Sequence, residues 1–304
     1  MLYLEKFVLP DEEQEYTIAK VRRAENGGAL GYLENGYPCM LFPQRGLQEL
    51  DFEPITIFYG GNGSGKSTLL NVISEKFSLS RNAPFNGGEM FPLYVKECGF
   101  RFGFDDEGDL LSGLPQGSRV ITSDDVFEYM LAARTRNEEI SEDTENAKEE
   151  YAALKFGETV RFTGMQDYEA ARMQLLARQK NLSRRKFLHR VIGKQVRLRS
   201  NGETALRFFE KSLCENALYC LDEPENSLSP KLQLEMKRLL EDKVRLYGCQ
   251  LILATHSPFL LSMRGAKIYD LDSDPVMPKK WWELENTRTY FQFFDKYRDL
   301  FLKK

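Results

Sequence analysis

The sequence predicts an α/β fold: a largely parallel sheet with a β-rich N-terminal part and an inserted helical lobe. Three observations carry this. Short apolar runs at Ile55–Tyr59, Leu218–Leu221 and Gln250–Ala254 read as buried strands. Segments with helical apolar spacing, Thr68–Phe77 and Ser229–Leu246, follow the first two of these runs, and strands alternating with helices are the pattern of a parallel sheet. From Asp124 to about Leu198 the pattern is mostly helical, too long for a connection and long enough for a lobe of its own.

The remaining elements follow in chain order. Leu2–Leu9 reads as a strand, and the turn signals Gly27-Gly28 and Asn35-Gly36 make the first 50 residues a small antiparallel β-rich sheet. Residues 83–120 are punctuated by Gly and Pro, with strands read at Phe91–Val95 and Arg119–Thr122, and Ile268–Leu271 reads as a fourth strand of the main sheet. The expected organisation is one domain over 1–304: a β-rich part with the first loop motif at 1–122, the helical lobe at 123–200, and the remaining motifs with a C-terminal helix at 201–304.

Hydrophobic residues are 42% and charged residues 29% of the 304, the balance of a soluble globular protein. Net charge is −4, so any nucleic-acid site must be a local patch. No apolar run approaches the ~20 residues of a membrane span, and the N-terminus turns acidic too soon for a signal peptide; no membrane insertion is expected. The five cysteines form no CxxC pair, which reads as a reducing cytoplasm, with Cys220 and Cys249 as buried thiols.

Gly60-Gly61-Asn62-Gly63-Ser64-Gly65-Lys66-Ser67 fits G-x-x-x-x-G-K-[ST] at every fixed position, between an apolar strand and a helix that takes in Thr68. Glycines let the backbone wrap a phosphate closely, and the following helix points its positive end at the same anion. Lys66 would reach the β- and γ-phosphates and Ser67 would ligate Mg²⁺. The run ALYCL ends in Asp222-Glu223. Strand ends are often acidic, but beside a full phosphate loop Asp222 reads as the metal residue and Glu223 as the general base. Of two histidines, His256 follows the strand LILAT, at the sheet edge where ligands bind, and could hydrogen-bond the γ-phosphate; His189 is assigned no role.

Ser200-Asn201-Gly202-Glu203 stands twenty residues before Asp222 and by itself reads as a helix start. Together, the phosphate loop, the helical insertion, SNGE, Asp222-Glu223-Pro224-Glu225-Asn226 and Ala254-Thr255-His256-Ser257-Pro258 resemble the ABC-class P-loop ATPases. The likeness is to the soluble branch related to SMC and RecF proteins, which includes bacterial chains called AAA-family ATPases. In that family SNGE corresponds to the signature, and Glu225–Pro230 to the D-loop region. The resemblance implies ATP and Mg²⁺ as ligands, ATP hydrolysis, and a homodimer that sandwiches two ATP molecules, with Ser200, Gly202 and Glu203 of one subunit capping the γ-phosphate held by the other. The family's coupling glutamine has Gln116 as one candidate, with Ser123-Asp124-Asp125 as the alternative occupant of that region. Tyr37 is the candidate for an adenine-stacking aromatic.

Two charge blocks lie in the lobe. Asn137–Glu150 holds seven acids and one Lys, while Arg178–Arg199 holds nine Lys/Arg and no acid, a solvated helical face or a contact for DNA phosphates. Tyr290, Phe294, Tyr297 and Phe301 recur at helical spacing and are expected to pack against their own domain. The function expected is an ATPase driving DNA maintenance or a defence system with a separate effector. The alternatives are the nucleotide-binding subunit of a membrane transporter and an ATP-dependent switch with negligible turnover.

Overall fold

Five-residue runs of apolar side chains with no polar alternation bury both faces, so they belong in the middle of a layered sheet. The computed structural model, which describes residues 1–25, 36–85, 87–105, 107–135, 174 and 201–302, bears this out. Strands β1 (Leu4–Val8), β2 (Glu49–Asp51), β3 (Ile55–Tyr59), β4 (Gly99–Phe102), β5 (Arg119–Thr122), β6 (Leu218–Asp222), β7 (Gln250–Ala254), β8 (Lys267–Asp270) and β9 (Met277–Lys279) form two sheets. The larger has the order β5-β6-β7-β3-β8-β9, parallel except for the antiparallel edge strand β9. Every residue of β3 and β7 is buried.

Register aligns the strand ends. Thr122 lies opposite Asp222, Asp222 opposite Ala254, Ala254 opposite Phe58, and Tyr59 opposite Asp270. The loops after β3, β6, β7 and β8 therefore emerge side by side at the C-terminal edge, although their sequence positions span some 200 residues. Helix α2 (Lys66–Lys76) buries Leu69, Leu70, Val72 and Ile73. Further along come α5 (Asn201–Ser212), α6 (Pro230–Tyr247), the short α7 (Pro258–Leu261), α8 (Glu285–Lys296) and α9 (Arg298–Leu302). Proline in the first turn starts α6, and Gly248 at φ 65° ends it.

The smaller sheet is antiparallel with order β2-β1-β4, as expected at the N-terminus, but its makeup differs from the reading of the first 50 residues. Between β1 and β2 stands a helix, α1 (Glu12–Glu25). Its start is a reciprocal cap: Gln14 N–H donates to Asp11 Oδ1 at 2.8 Å and Asp11 N–H to Gln14 Oε1 at 3.0 Å. The third strand comes from Gly99–Phe102. Buried Gln250 ties the two sheets, its Oε1 accepting from Tyr3 and Leu4 N–H and its Nε2 donating to Leu4 O, all at 2.8 Å.

The FPLYV segment is a second correction. It forms helix α3 (Phe91–Glu97), not a strand, with Pro92 in its first turn and Phe91, Tyr94 and Val95 buried at helical spacing. A short apolar run does not distinguish the two by periodicity, and the proline decides. Residues 123–135 form helix α4, begun by Thr122 and Asp125: Asp125 Oδ2 accepts from Thr122 N–H at 2.7 Å and Oγ1 at 3.0 Å.

By internal packing the chain divides into Met1–Phe127 with Asn201–Lys304, and Glu128–Ser200. The acidic block 137–150, the basic run 178–199 and Ser200 lie outside the described residues. Among the described residues no helix is long and apolar enough to cross a membrane. The C-terminal aromatic stripe is a third correction: Tyr290, Phe294 and Phe301 are 45%, 51% and 69% exposed. Helical spacing places them on one face, but no element of the described fold covers that face.

Candidate active site

The chain leaves buried β3 at Tyr59 and makes a tight loop before α2. Gly63 and Gly65 have φ of 80° and 99°, a region that glycine enters without the steric cost borne by other residues. Lys66, buried at 5% exposure, donates from Nζ to Gly60 O at 2.8 Å and Gly61 O at 2.9 Å. The ammonium thus sits inside the loop it closes. Ser67 Oγ donates to Asp222 Oδ1 at 3.1 Å, which brings the phosphate loop and the end of β6 into contact across 155 residues. Asn62 is exposed on the loop; Ser64 Oγ is buried with no hydrogen-bond partner among the described residues.

Burial pushes the Asp222 carboxyl up to about 6, against the opposing hydrogen bond from Ser67, with the neighbouring Glu223 charge adding to the rise. Glu223 itself is at φ 45°, a left-handed conformation that costs a non-glycine residue about 1–3 kcal/mol. Its N–H bonded to Ala254 O at 2.9 Å holds it there, and the turn sets its carboxylate 4.0 Å from Lys66 Nζ and 3.7 Å from His256 Nδ1. Asn226 Nδ2 donates to the other Glu223 oxygen at 3.0 Å. Both acids, the lysine and His256 therefore face one another.

Glu225 organises the histidine side. Its buried Oε1 accepts from Thr255 Oγ1 at 2.5 Å and from the N–H groups of His256 and Ser257 at 3.2 Å each. Three donors on one oxygen fix the loop that carries the imidazole. Burial also raises the Glu225 carboxyl above its ordinary range. In sequence Glu225 shows only as the third acid of the run DEPE, at the start of the D-loop region, with nothing to say that it holds the histidine loop. Two further residues at the loop, Asp272 and Arg45, had no sequence signal, because each bonds a partner more than 200 residues away. Gly61 N–H donates to Asp272 Oδ2 at 2.7 Å, and Arg45 Nη1 donates to Leu271 O at 2.8 Å and Ser64 O at 3.2 Å.

The other candidates fall in different places. Gly202 is buried in the first turn of α5, where an added Cβ would come within 2.3 Å of Leu232 Cδ1, the tip of a side chain on α6. Glu203 is on the exposed side of the same turn. Tyr37 Oη donates to Thr68 Oγ1 at 3.0 Å, and its ring stacks on Phe91 at 5.9 Å, so this aromatic stands beside the start of α2. It also lines an apolar cleft of about 820 Å³ with Glu15, Met40 and Leu41. Gln116 precedes β5 and lies at the opposite end of that strand from Asp222; Ser123 follows it, on the site's edge.

The donor set fits a magnesium nucleotide. Ser67 hydroxyl and Asp222 carboxylate are the hard oxygen ligands Mg²⁺ takes, and Lys66 with the N–H groups at the start of α2 suits phosphate. Among the described residues no cluster of three His, Cys, Asp or Glu could hold a metal by itself.

Fold and loop together define a P-loop nucleotide-binding protein. A family model described as "ABC transporter" matches residues 49–226, and one described as "AAA domain, putative AbiEii toxin, Type IV TA system" matches residues 197–262. The first spans more than half of the chain, and the chain belongs to this family, the ABC-class P-loop ATPases. Among curated proteins none matches. Solved structures similar to it include the SMC head domain from Thermotoga maritima, with 15% identity, 91% of this chain and 98% of that one covered, and a TM-score of 0.39. Another is the Smc head domain of Pyrococcus furiosus with an extended coiled coil, bound to the C-terminal domain of ScpA (13%, 82% and 95%, 0.36). A third is the dimeric ATP-binding cassette MJ0796 in a post-hydrolysis state bound to ADP and Pi (15%, 77% and 90%, 0.34).

Proposed function

We propose that the chain hydrolyses ATP with Mg²⁺ and does so as an ATP-dependent head-to-tail homodimer. The observation that carries the hydrolysis is the Ser67–Asp222 hydrogen bond at 3.1 Å with Glu223 4.0 Å from Lys66. Gly60 to Thr68 wrap the phosphates, and Lys66 moves its ammonium from the loop carbonyls to the β- and γ-oxygens. Ser67 and Asp222 hold Mg²⁺, which when bound neutralises phosphate charge. Glu223 accepts the proton of the attacking water, and His256, held against Glu223 by Glu225, donates to the γ-phosphate. Ser200, Gly202 and Glu203 of the second copy complete the site through a helix start, a favourable place for an anion.

The Glu223→Gln variant tests this. Turnover should fall about 10²–10⁴-fold, the range for loss of a general base, with ATP still bound. The bound protein should run as a dimer on size exclusion. Turnover at the wild-type rate would remove Glu223 from its role, and a monomer at saturating ATP would remove the sandwich.

The output is proposed to act on a separate effector in DNA maintenance or defence. The matching family model named for a toxin of a toxin–antitoxin system supports a defence role. A pull-down with the ATP-trapped variant decides it: recovery of a membrane-spanning partner would place the chain in a transporter instead.

A further inference from the structure

Helix α8 starts against the nucleotide edge of the sheet. Its second residue, Asn286, makes two hydrogen bonds: its backbone N–H donates to Tyr59 Oη at 3.1 Å, and its side-chain Nδ2 donates to His256 O at 2.9 Å. Tyr59 is the last residue of β3, directly before Gly60, and its phenol is buried, which raises its pKa and keeps it neutral. His256 O belongs to the loop whose ring faces Glu223. A single residue thus touches both the strand that feeds the phosphate loop and the loop that carries the histidine. Leu284 and Thr287, buried on either side, pin its backbone. The neighbouring chain is tied to the same edge: Asp272 accepts from Gly61 N–H, its own N–H bonds Asp270 Oδ1 at 3.1 Å, and Asp270 pairs with Lys279 of β9 at 2.6 Å.

We infer that Asn286 is a positioning residue for His256, and that through it the segment 280–302 follows the nucleotide state. The inference rests on the reading that the loop binds ATP. A hydrogen bond weakens steeply once its geometry is stretched or bent, so a shift of the His256 backbone toward a γ-phosphate either breaks the Asn286 bond or carries the first turn of α8 with it. ATP shifts this equilibrium to the extent that it prefers one arrangement of the loop. The chain supplies its own reporter. Its only two tryptophans are Trp281 and Trp282, five and four residues before Asn286, in contact with each other at 6.0 Å between rings.

The experiment measures tryptophan emission of the full chain on adding ATP and Mg²⁺, with ATP binding measured separately by equilibrium dialysis and turnover by phosphate release. In the wild type, emission should change on ATP binding. Asn286→Asp keeps the shape but puts an acceptor where a donor is needed. It should leave KM within about twofold, lower kcat about 2- to 10-fold, the worth of one net hydrogen bond, and lose over half of the emission change. Asn286→Gln, which retains the amide donor, should recover part of both. If the Asp variant melts before assay, Tyr59→Phe removes the other bond and should shrink the emission change likewise. A wild type that binds ATP with silent tryptophans overturns the inference alone, as does an Asp variant that responds in full. A wild type that binds no ATP in dialysis removes the reading beneath it and the inference with it.

Discussion

Helices α2 and α8 begin within a few residues' reach of the same strand end, yet they are used in opposite ways. Helix α2 follows the phosphate loop, contributes Lys66, Ser67 and Thr68 to the site, and buries Leu69, Leu70, Val72 and Ile73 in the core. Helix α8 touches the site through Asn286 and buries only Thr287, with Tyr290, Phe291, Phe293 and Phe294 exposed. Both show apolar residues at helical spacing. Spacing says which side chains share a face; it does not say whether a sheet lies against that face.

Substitutions on the two helices should therefore differ in kind. Leu70→Ala in α2 removes a buried side chain and should cost about 2–5 kcal/mol of unfolding free energy in a denaturant titration. A cost below about 1 kcal/mol would mean the helix is less covered than described. Lys66→Ala, at the same helix's start, should weaken ATP binding roughly 100-fold, since charged hydrogen bonds of about 1.5–3 kcal/mol are lost. Affinity equal to wild type would take the nucleotide away from this helix altogether.

A smaller effect should follow pH. Because burial raises the Asp222 carboxyl to about 6, the folded chain favours its neutral form. The stability this contributes to the free protein is present below the ordinary carboxylate range and lost as pH rises through about 6. Mg²⁺ binding needs the ionised form and runs the other way. Mg²⁺-dependent ATP affinity should fall about tenfold from pH 7 to pH 5, and this dependence should vanish in Asp222→Asn. The smallest effect belongs to α8. Phe294→Ala should change stability by about 1 kcal/mol or less, because the ring touches mainly the exposed rings of Phe293 and Phe301 and solvent. A larger loss would show that another surface covers the stripe and would dissolve the contrast with α2.

Much of the site was legible before any coordinates. Gly60 to Ser67 is contiguous, so its chemistry is written locally, and Asp222-Glu223 and His256 each end a run of buried-strand residues. The helix α1 was legible too, in the Asp11–Gln14 cap, but two glycine-bearing turns nearby argued for a sheet. The helix at Phe91–Glu97 turned on Pro92, a first-turn residue within a run too short to show a period. Glu225 shows only as a further acid in DEPE, and Arg45, Asp272 and Asn286 left no such trace. Each acts on backbone atoms far away in sequence, and a backbone amide or carbonyl carries no residue identity to read.

By itself, then, the sequence determined what is local: the central strands from five-residue apolar runs, the helices after them from apolar spacing, and a phosphate loop from glycine spacing around Lys66. Only the tertiary structure decided which of these meet. The strand order β6-β7-β3-β8 brings four chain-distant loops to one edge, sets Ser67 against Asp222, and seats Asn286 between Tyr59 and His256. Among the described residues it also leaves the aromatic face of α8 bare while burying the aliphatic face of α2. The physical reason is the same in each case: short-range preferences act along a few bonds of chain, whereas hydrogen bonding and burial act between whatever surfaces the packed layers bring within a few ångströms.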